Sequence, residues 1–234
     1  MNFADRLQSS IEKSKSFIVA GMDPVIKNLP AFITSASARP TSEESSCQAL
    51  VSFHALALEA LQGTVAAVKP NFGFFVQYGI GGIRAFQAIC RMSQEAGLPV
   101  VADAKVGDIG NTAKAYSSGF LGKGDFDVDA LTVNPFLGFD TLEPFLADCR
   151  SFGKGIFVLV KTSNPGSGDI QNVKLQESGS ISGKIADWIA GAGKDLRGSC
   201  GYSSIGAVVG ATYPGEAREL RARMPDSFFL IPGM

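Results

Sequence analysis

Three charged residues stand close together at the end of an apolar run: Asp103, Lys105 and Asp108 in VVADAKVGD (Val100–Asp108). An ammonium set between carboxylates keeps its charge and lies ready beside negative charge that develops on a ligand. The trio therefore suits electrostatic stabilisation and general-acid proton transfer. On a strand, residues two apart share a face, so Asp103 and Lys105 are expected to point into the same space while Ala102 and Ala104 point away. Asp108 follows Gly107 and falls beyond the strand. With Asn111 and Thr112 it is expected at the next loop and helix start, where Asn or Thr can cap, within reach of this site or of a neighbouring subunit. A plain structural ion pair between Asp103 and Lys105 is the competing reading.

Polar residues also stand where other apolar runs stop: Asp23 in GMDP, Lys69 and Asn71 in VKPN, Asn134 in TVNP, and Ser163 and Asn164 in KTSNPG. Parallel strands buried on both faces read as continuous apolar runs, and their carboxyl ends are where α/β folds place ligand chemistry. Strand ends are often polar through exposure alone. Several ends with complementary charges argue instead for one site.

The elements that must position these residues follow from the runs themselves. Seven strands are expected, at Phe17–Gly21, Val65–Lys69, Pro99–Lys105, Val128–Val133, Ile156–Lys161, Ile205–Val209 and Phe228–Ile231. Helical stripes lie between them: Phe3, Leu7 and Ile11; Ile83, Phe86 and Cys90; Ile181, Ile185, Trp188 and Ile189. Alternation of this kind is the mark of βαβ units around a parallel sheet. Thr34–Ser46 reads as an exposed loop leading into a helix, and no long Pro/Gly/Ser linker divides the chain, so one domain is expected.

Composition narrows the function classes. The 234 residues are 45% hydrophobic, enough for a full core, and 21 Lys and Arg against 22 Asp and Glu leave no basic stripe for a nucleic-acid backbone. The four cysteines, Cys47, Cys90, Cys149 and Cys200, lie far apart with no CxxC pairing, which suits reduced thiols in a cytoplasmic protein rather than zinc or a disulfide framework. Charges interrupt the N-terminal segment, and His54, Glu59 and Gln62 interrupt the apolar stretch Ala49–Val68, so neither a signal peptide nor a membrane span is expected.

The same motifs carry a resemblance. D-A-K-V-G-D (Asp103–Asp108) resembles the D-x-K-x-x-D motif of the orotidine 5′-phosphate decarboxylase family, and DAK-x-GDIGxTAxAY is similar to its longer bacterial branch. GMDP, VKPN, KTSNPG and IPG (Ile231–Gly233) fall in the family's order and spacing, so the resemblance spans nearly the whole chain. One departure is Val106, where many members of that branch have Arg.

The resemblance implies a (βα)₈ TIM barrel, a homodimer with sites at the subunit interface, and orotidine 5′-monophosphate as substrate. It implies no cofactor and no metal. Asp23 and Lys69 would contact the ribose hydroxyls, Asp103 would face the substrate carboxylate, and Lys105 would donate the proton. Asp108 and Thr112 would enter the partner subunit's site. Ser163 would hydrogen-bond the pyrimidine, with Asn134, Pro232 and Gly233 completing the substrate-binding set. Loss of CO₂ from C6 leaves a localised carbanion with no evident metal or Schiff base to absorb it, so charge placement must stabilise it. An Asp beside the substrate carboxylate would also oppose binding of that group and be relieved as CO₂ leaves.

A barrel of this kind closes with eight strands, and phosphate is often held by the loops after the seventh and eighth. Only seven are found, and IPGM directly follows the last. The expectation is one TIM-barrel domain over residues 1–234, truncated at its C-terminus, whose eighth strand and phosphate-binding Gln and Arg are not in this sequence.

Other motifs are weaker. Gly191–Lys194 (GAGK) resembles the end of a P-loop, but Asp195 replaces the Ser or Thr and a helix C-terminus is expected. Gly79–Gly82 (GIGG) is expected to be a loop, and His54, the sole histidine, a plain helix residue. One rival is a magnesium-dependent keto-gulonate phosphate decarboxylase, but that reading wants an acidic metal ligand at the second strand end, where Lys69 stands. A second rival is a non-catalytic nucleotide-binding module.

Overall fold

A computed structural model describes residues 1–34, 42–122, 124–177 and 179–233; the middle of the expected Thr34–Ser46 loop and the terminal Met lie outside them. In chain order the elements are α1 (Phe3–Ser14), β1 (Val19–Met22), α2 (Ala31–Thr34), α3 (Glu43–Leu61), β2 (Ala67–Pro70), α4 (Phe72–Val76), α5 (Gly79–Glu95), β3 (Val101–Val106) and α6 (Gly110–Phe120). There follow β4 (Ala130–Val133), α7 (Glu143–Phe152), β5 (Gly155–Lys161), α8 (Gly168–Gln171), α9 (Ile181–Ala192), β6 (Ser203–Val209), α10 (Pro214–Arg223) and β7 (Ser227–Leu230). All seven expected strands form, each within two residues of its expected ends at the carboxyl side.

The chain divides into two compact units, and β3 passes from one to the other between Ala104 and Lys105. The unit of Leu7–Ala104 and Gly124–Asp129 holds β1 and β2 as a parallel pair, with Gly21 opposite Lys69 and Met22 opposite Pro70. Bridges Val68 to Val100 and Asn71 to Asp103 add the start of β3 in the same sense. Ser42 opens α3 with a capping box, its hydroxyl accepting from Ser45 N–H. Leu50, Val68, Phe75, Phe86, Ile89 and Val100 are wholly buried, and Phe72, Phe75, Phe86 and Phe126 meet edge to face. Rings in that arrangement gain about 1 kcal/mol per pair beyond their burial.

GIGG is not a loop: Gly79 begins α5. A Cβ on Gly81 or Gly82 would strike the backbone of Glu43 or Phe75. The glycines are there to let α5 close onto α3 and α4, which is a packing reason rather than a turn.

The other unit carries the remaining strands in the order β4-β5-β6-β7, each pair parallel. Lys105 and Val106 at the end of β3 run beside β4, where Asn134 N–H bonds Val106 O at 2.8 Å. Every residue of β4 and of β6 is buried, as expected of strands covered on both faces. Phe145, Leu146, Ile185 and Ile189 cover this sheet from α7 and α9. GAGK falls at the end of α9, as its composition implied.

Candidate active site

The charges expected to do chemistry are found at strand ends, in two groups. In the first, Lys69 near the end of β2 places Nζ 2.8 Å from Asp103 Oδ2 on β3, with side chains only 16% and 8% exposed. The pairing of Asn71 with Asp103, and the bond from Asn71 N–H to Met22 O (3.1 Å), bring the ends of β1, β2 and β3 level. Asp23, one residue beyond β1, lies exposed at that level. The ion pair thus joins Asp103 to Lys69, a partner the strand pattern alone did not single out. A short ion pair with little access to water fixes the direction of both side chains.

The second group begins at Lys105. Its φ of 48° lies in the left-handed region, so the extended alternation that led to a shared face with Asp103 ends at this residue. Such backbone costs a side-chain-bearing residue about 1 kcal/mol or more and persists only where its surroundings impose it. Here the hydroxyl of Thr132, fully buried on β4, accepts Lys105 N–H at 2.9 Å. Thr132 could not have been singled out beforehand: nothing in ALTV marks a threonine whose hydroxyl meets a neighbouring strand.

Asp108 accepts from Ile109 N–H at 2.7 Å. Ile109 is the N-cap of α6 and no side chain caps it, so Asn111 and Thr112 lie inside the first helical turn rather than capping it. Gly110 at φ 50° makes the turn that starts the helix at least two residues earlier than the polar pattern suggested. Thr112 is exposed on that first turn, and Asn134, after β4, accepts from Phe136 N–H at 3.0 Å. Gly107 packs so closely on the Asn134 backbone that a Cβ could not fit.

Ser163, just after β5, is enclosed by the ends of β6 and β7. Gly210 leaves no room for a side chain against its backbone, Thr212 Oγ1 donates to Ser163 O at 3.2 Å, and Gly233 (φ 88°) abuts its side chain. Ala211 N–H bonds Pro232 O at 3.0 Å, which ties the expected Pro232 and Gly233 to the same place. Two residues before Ser163 lies another residue left without a role, the buried Lys161.

Among the described residues no group of three or more His, Cys, Asp or Glu side chains could hold a metal ion. No helix among them is long and apolar enough to cross a membrane. His54 is buried in α3, its Nδ1–H bonded to Leu50 O at 2.7 Å, and burial pushes its imidazole below the ordinary value, partly offset by that bond. It takes no part in either charged group.

The model of the orotidine 5′-phosphate decarboxylase / HUMPS family matches residues 49–234. The chain belongs to that family. Over its whole length it is 38% identical to the orotidine 5′-phosphate decarboxylase of Caldicellulosiruptor bescii and covers 80% of that protein. It is 47% identical over 76% of its length to the Deinococcus radiodurans orotidine 5′-phosphate decarboxylase, of which it covers 63%. The OMP decarboxylase structure from Leishmania donovani superposes on the entire chain with a TM-score of 0.77 at 34% identity, and 80% of that structure is covered. The orotidine 5′-phosphate decarboxylase likeness assigns the α/β fold of this chain to the TIM-barrel class.

Proposed function

We propose that the chain decarboxylates orotidine 5′-monophosphate to UMP and CO₂, a carboxy-lyase step of pyrimidine biosynthesis. The family and the relatives that carry that activity in their names support it. The structural observation that carries the reading is the 2.8 Å ion pair of Lys69 with Asp103, set at strand ends two residues before Lys105. The same Lys69 occupies the place where a magnesium-dependent relative would want an acidic ligand.

Asp103 faces the substrate carboxylate, and Asp23 and Lys69 hold the ribose hydroxyls. As the C6–carboxylate bond breaks, its electron pair stays on C6 and CO₂ departs. Lys105 delivers a proton to that carbon and is then reprotonated from solvent. Until that moment its ammonium stabilises the charge gathering on C6. Ser163 hydrogen-bonds the pyrimidine, while Asn134, Pro232 and Gly233 shape its surroundings. The protein acts in the cytoplasm as a homodimer in which Asp108 and Thr112 serve the partner's site.

The test is Lys105→Ala. General acids contribute about 10²–10⁴-fold, and loss of the ammonium's charge adds to that, so decarboxylation should fall by at least roughly a thousandfold. Unchanged circular dichroism would show that the fold survives. Turnover within tenfold of the parent would remove Lys105 from the mechanism. Mixing Asp108→Asn and Lys105→Ala chains should restore activity in heterodimers, and no recovery despite proven subunit exchange would count against sharing of sites.

A further inference from the structure

A wholly buried ammonium needs a reason, since removing it from water is costly and an apolar side chain of similar size would fill the same space. Lys161 is such a group. It ends β5 at an irregularity in the ladder, where the register to β6 shifts between Leu159 and Lys161. Bulges of this sort turn a side chain away from its regular direction. Nζ meets Asn172 Oδ1 at 2.9 Å and Glu216 Oε2 at 3.2 Å, and lies 4.3 Å from the centre of the Tyr213 ring. Asn172 Nδ2 also approaches Glu216 Oε1 at 3.4 Å, which closes the triangle.

The partners come from two other pieces of chain. Asn172 directly follows α8, at the far end of the excursion that Ser163 begins; Glu216 sits in the first turn of α10 and Tyr213 just before it. A second clasp lies beside the first. Gln171 Oε1 accepts from Thr162 N–H at 2.9 Å and its Nε2 donates to Thr162 Oγ1 at 2.8 Å, while Thr162 Oγ1 donates to Asn164 Oδ1 at 2.6 Å. Lys161 and Thr162, the two residues before Ser163, are therefore held by the residues that end its own excursion, and Thr162 in turn holds Asn164 on the other side. From the other side, the bond from Gly210 N–H to Lys161 O (2.7 Å) and that from Thr212 to Ser163 O fix the β6 end.

We infer that Lys161, with Asn172 and Glu216, is a positioning residue: it locks the turn 162–164 so that Ser163 meets the pyrimidine in one orientation. An ammonium with three donors joins three segments at one point, which no apolar side chain can do. This rests on the reading of Ser163 as a pyrimidine contact. Lys161 itself touches no substrate in this account.

A double-mutant cycle in steady-state kinetics tests it, using Ser163→Ala, Lys161→Met and their combination. Ser163→Ala should raise KM for orotidine 5′-monophosphate about tenfold, the equivalent of one hydrogen bond, with a smaller change in kcat. Lys161→Met should give a similar KM rise, and the double variant should be no worse than either single one. Glu216→Gln and Asn172→Ala, at the partly exposed side of the network, should show the same KM-weighted loss in milder form and serve in place of Lys161→Met if that variant does not fold. If Ser163→Ala leaves KM unchanged, the pyrimidine contact itself is wrong. If Ser163→Ala raises KM but the network variants leave it unchanged, or their effects multiply with that of Ser163→Ala, the positioning role is overturned while the contact stands.

Discussion

Replacing Lys69 by Met removes an ammonium 2.8 Å from Asp103 Oδ2. The attraction between two unit charges at that separation is about 6 kcal/mol at an effective dielectric constant of 20, against about 1.5 kcal/mol in water. Side-chain exposures of 16% and 8% put the pair nearer the former. Desolvation offsets much of this gross figure, and what remains on deletion is the cost of a carboxylate left with little water. That cost is about 3 kcal/mol, the low end for breaking a buried pair, because Lys69 keeps some contact with solvent. In a chain of this size it lowers Tm by roughly 6–12 °C. Asp103→Asn should cost less, since the ammonium it leaves behind lies at the wetter end of the pair. The double variant Lys69→Met/Asp103→Asn should recover about 2 kcal/mol relative to the sum of the singles. Denaturant midpoints and calorimetry on the four proteins measure the cycle. Additive effects, or single costs below about 0.5 kcal/mol, would refute the claim that this pair is held together in a low-dielectric strand end.

The left-handed backbone of Lys105 predicts that Lys105→Gly is about 1 kcal/mol more stable than Lys105→Ala, because glycine alone adopts that φ without strain; equal unfolding midpoints would contradict it. His54 titrates lower when folded than its unfolded value of about 6.5. Above that pH it is neutral in both states; as pH falls into the window below, the unfolded chain takes up a proton the folded one refuses, and stability declines. Urea midpoints at pH 7.5 and 5.5 should show a smaller loss for His54→Gln than for the parent, and an equal loss would rule His54 out. Burial raises the thiols of Cys90 and Cys149 far above the ordinary range, and Cys47 and Cys200 less so. Alkylation of the native protein counted by mass spectrometry should therefore modify Cys47 and Cys200 first, and early labelling of Cys90 or Cys149 would show that the cores open.

The strands were legible because a strand buried on both faces must be apolar throughout, and its polar terminus then marks the place where ligand chemistry sits. Lys69 does fall near the end of β2 and Ser163 just past β5, whereas Asp103 lies within β3, three residues before its end. The apolar pattern did not reveal that Lys105 leaves the extended region with its N–H bonded to the hydroxyl of Thr132 on the next strand, because sequence distance hides such a bond. It misplaced the start of α6, because Gly110 turns the chain early and an uncapped Ile109 takes the position where Asn111 or Thr112 had been expected. GIGG carried the usual sign of a loop, yet its glycines answer to the backbones of Glu43 and Phe75. Lys161 passed unnoticed for the same kind of reason: the partner that makes its burial tolerable, Glu216, lies far along the chain.

If this chain removes CO₂ from orotidine 5′-monophosphate and Lys105 protonates the carbon left behind, the product must carry a solvent-derived hydrogen at C6. The most direct measurement is incubation of the purified protein with that substrate in deuterated water, followed by proton NMR of the product. UMP carrying deuterium at C6 should be formed by the parent protein and not by Lys105→Ala. Unchanged substrate with the folded parent protein, or UMP formed equally well by the Lys105→Ala variant, would contradict it.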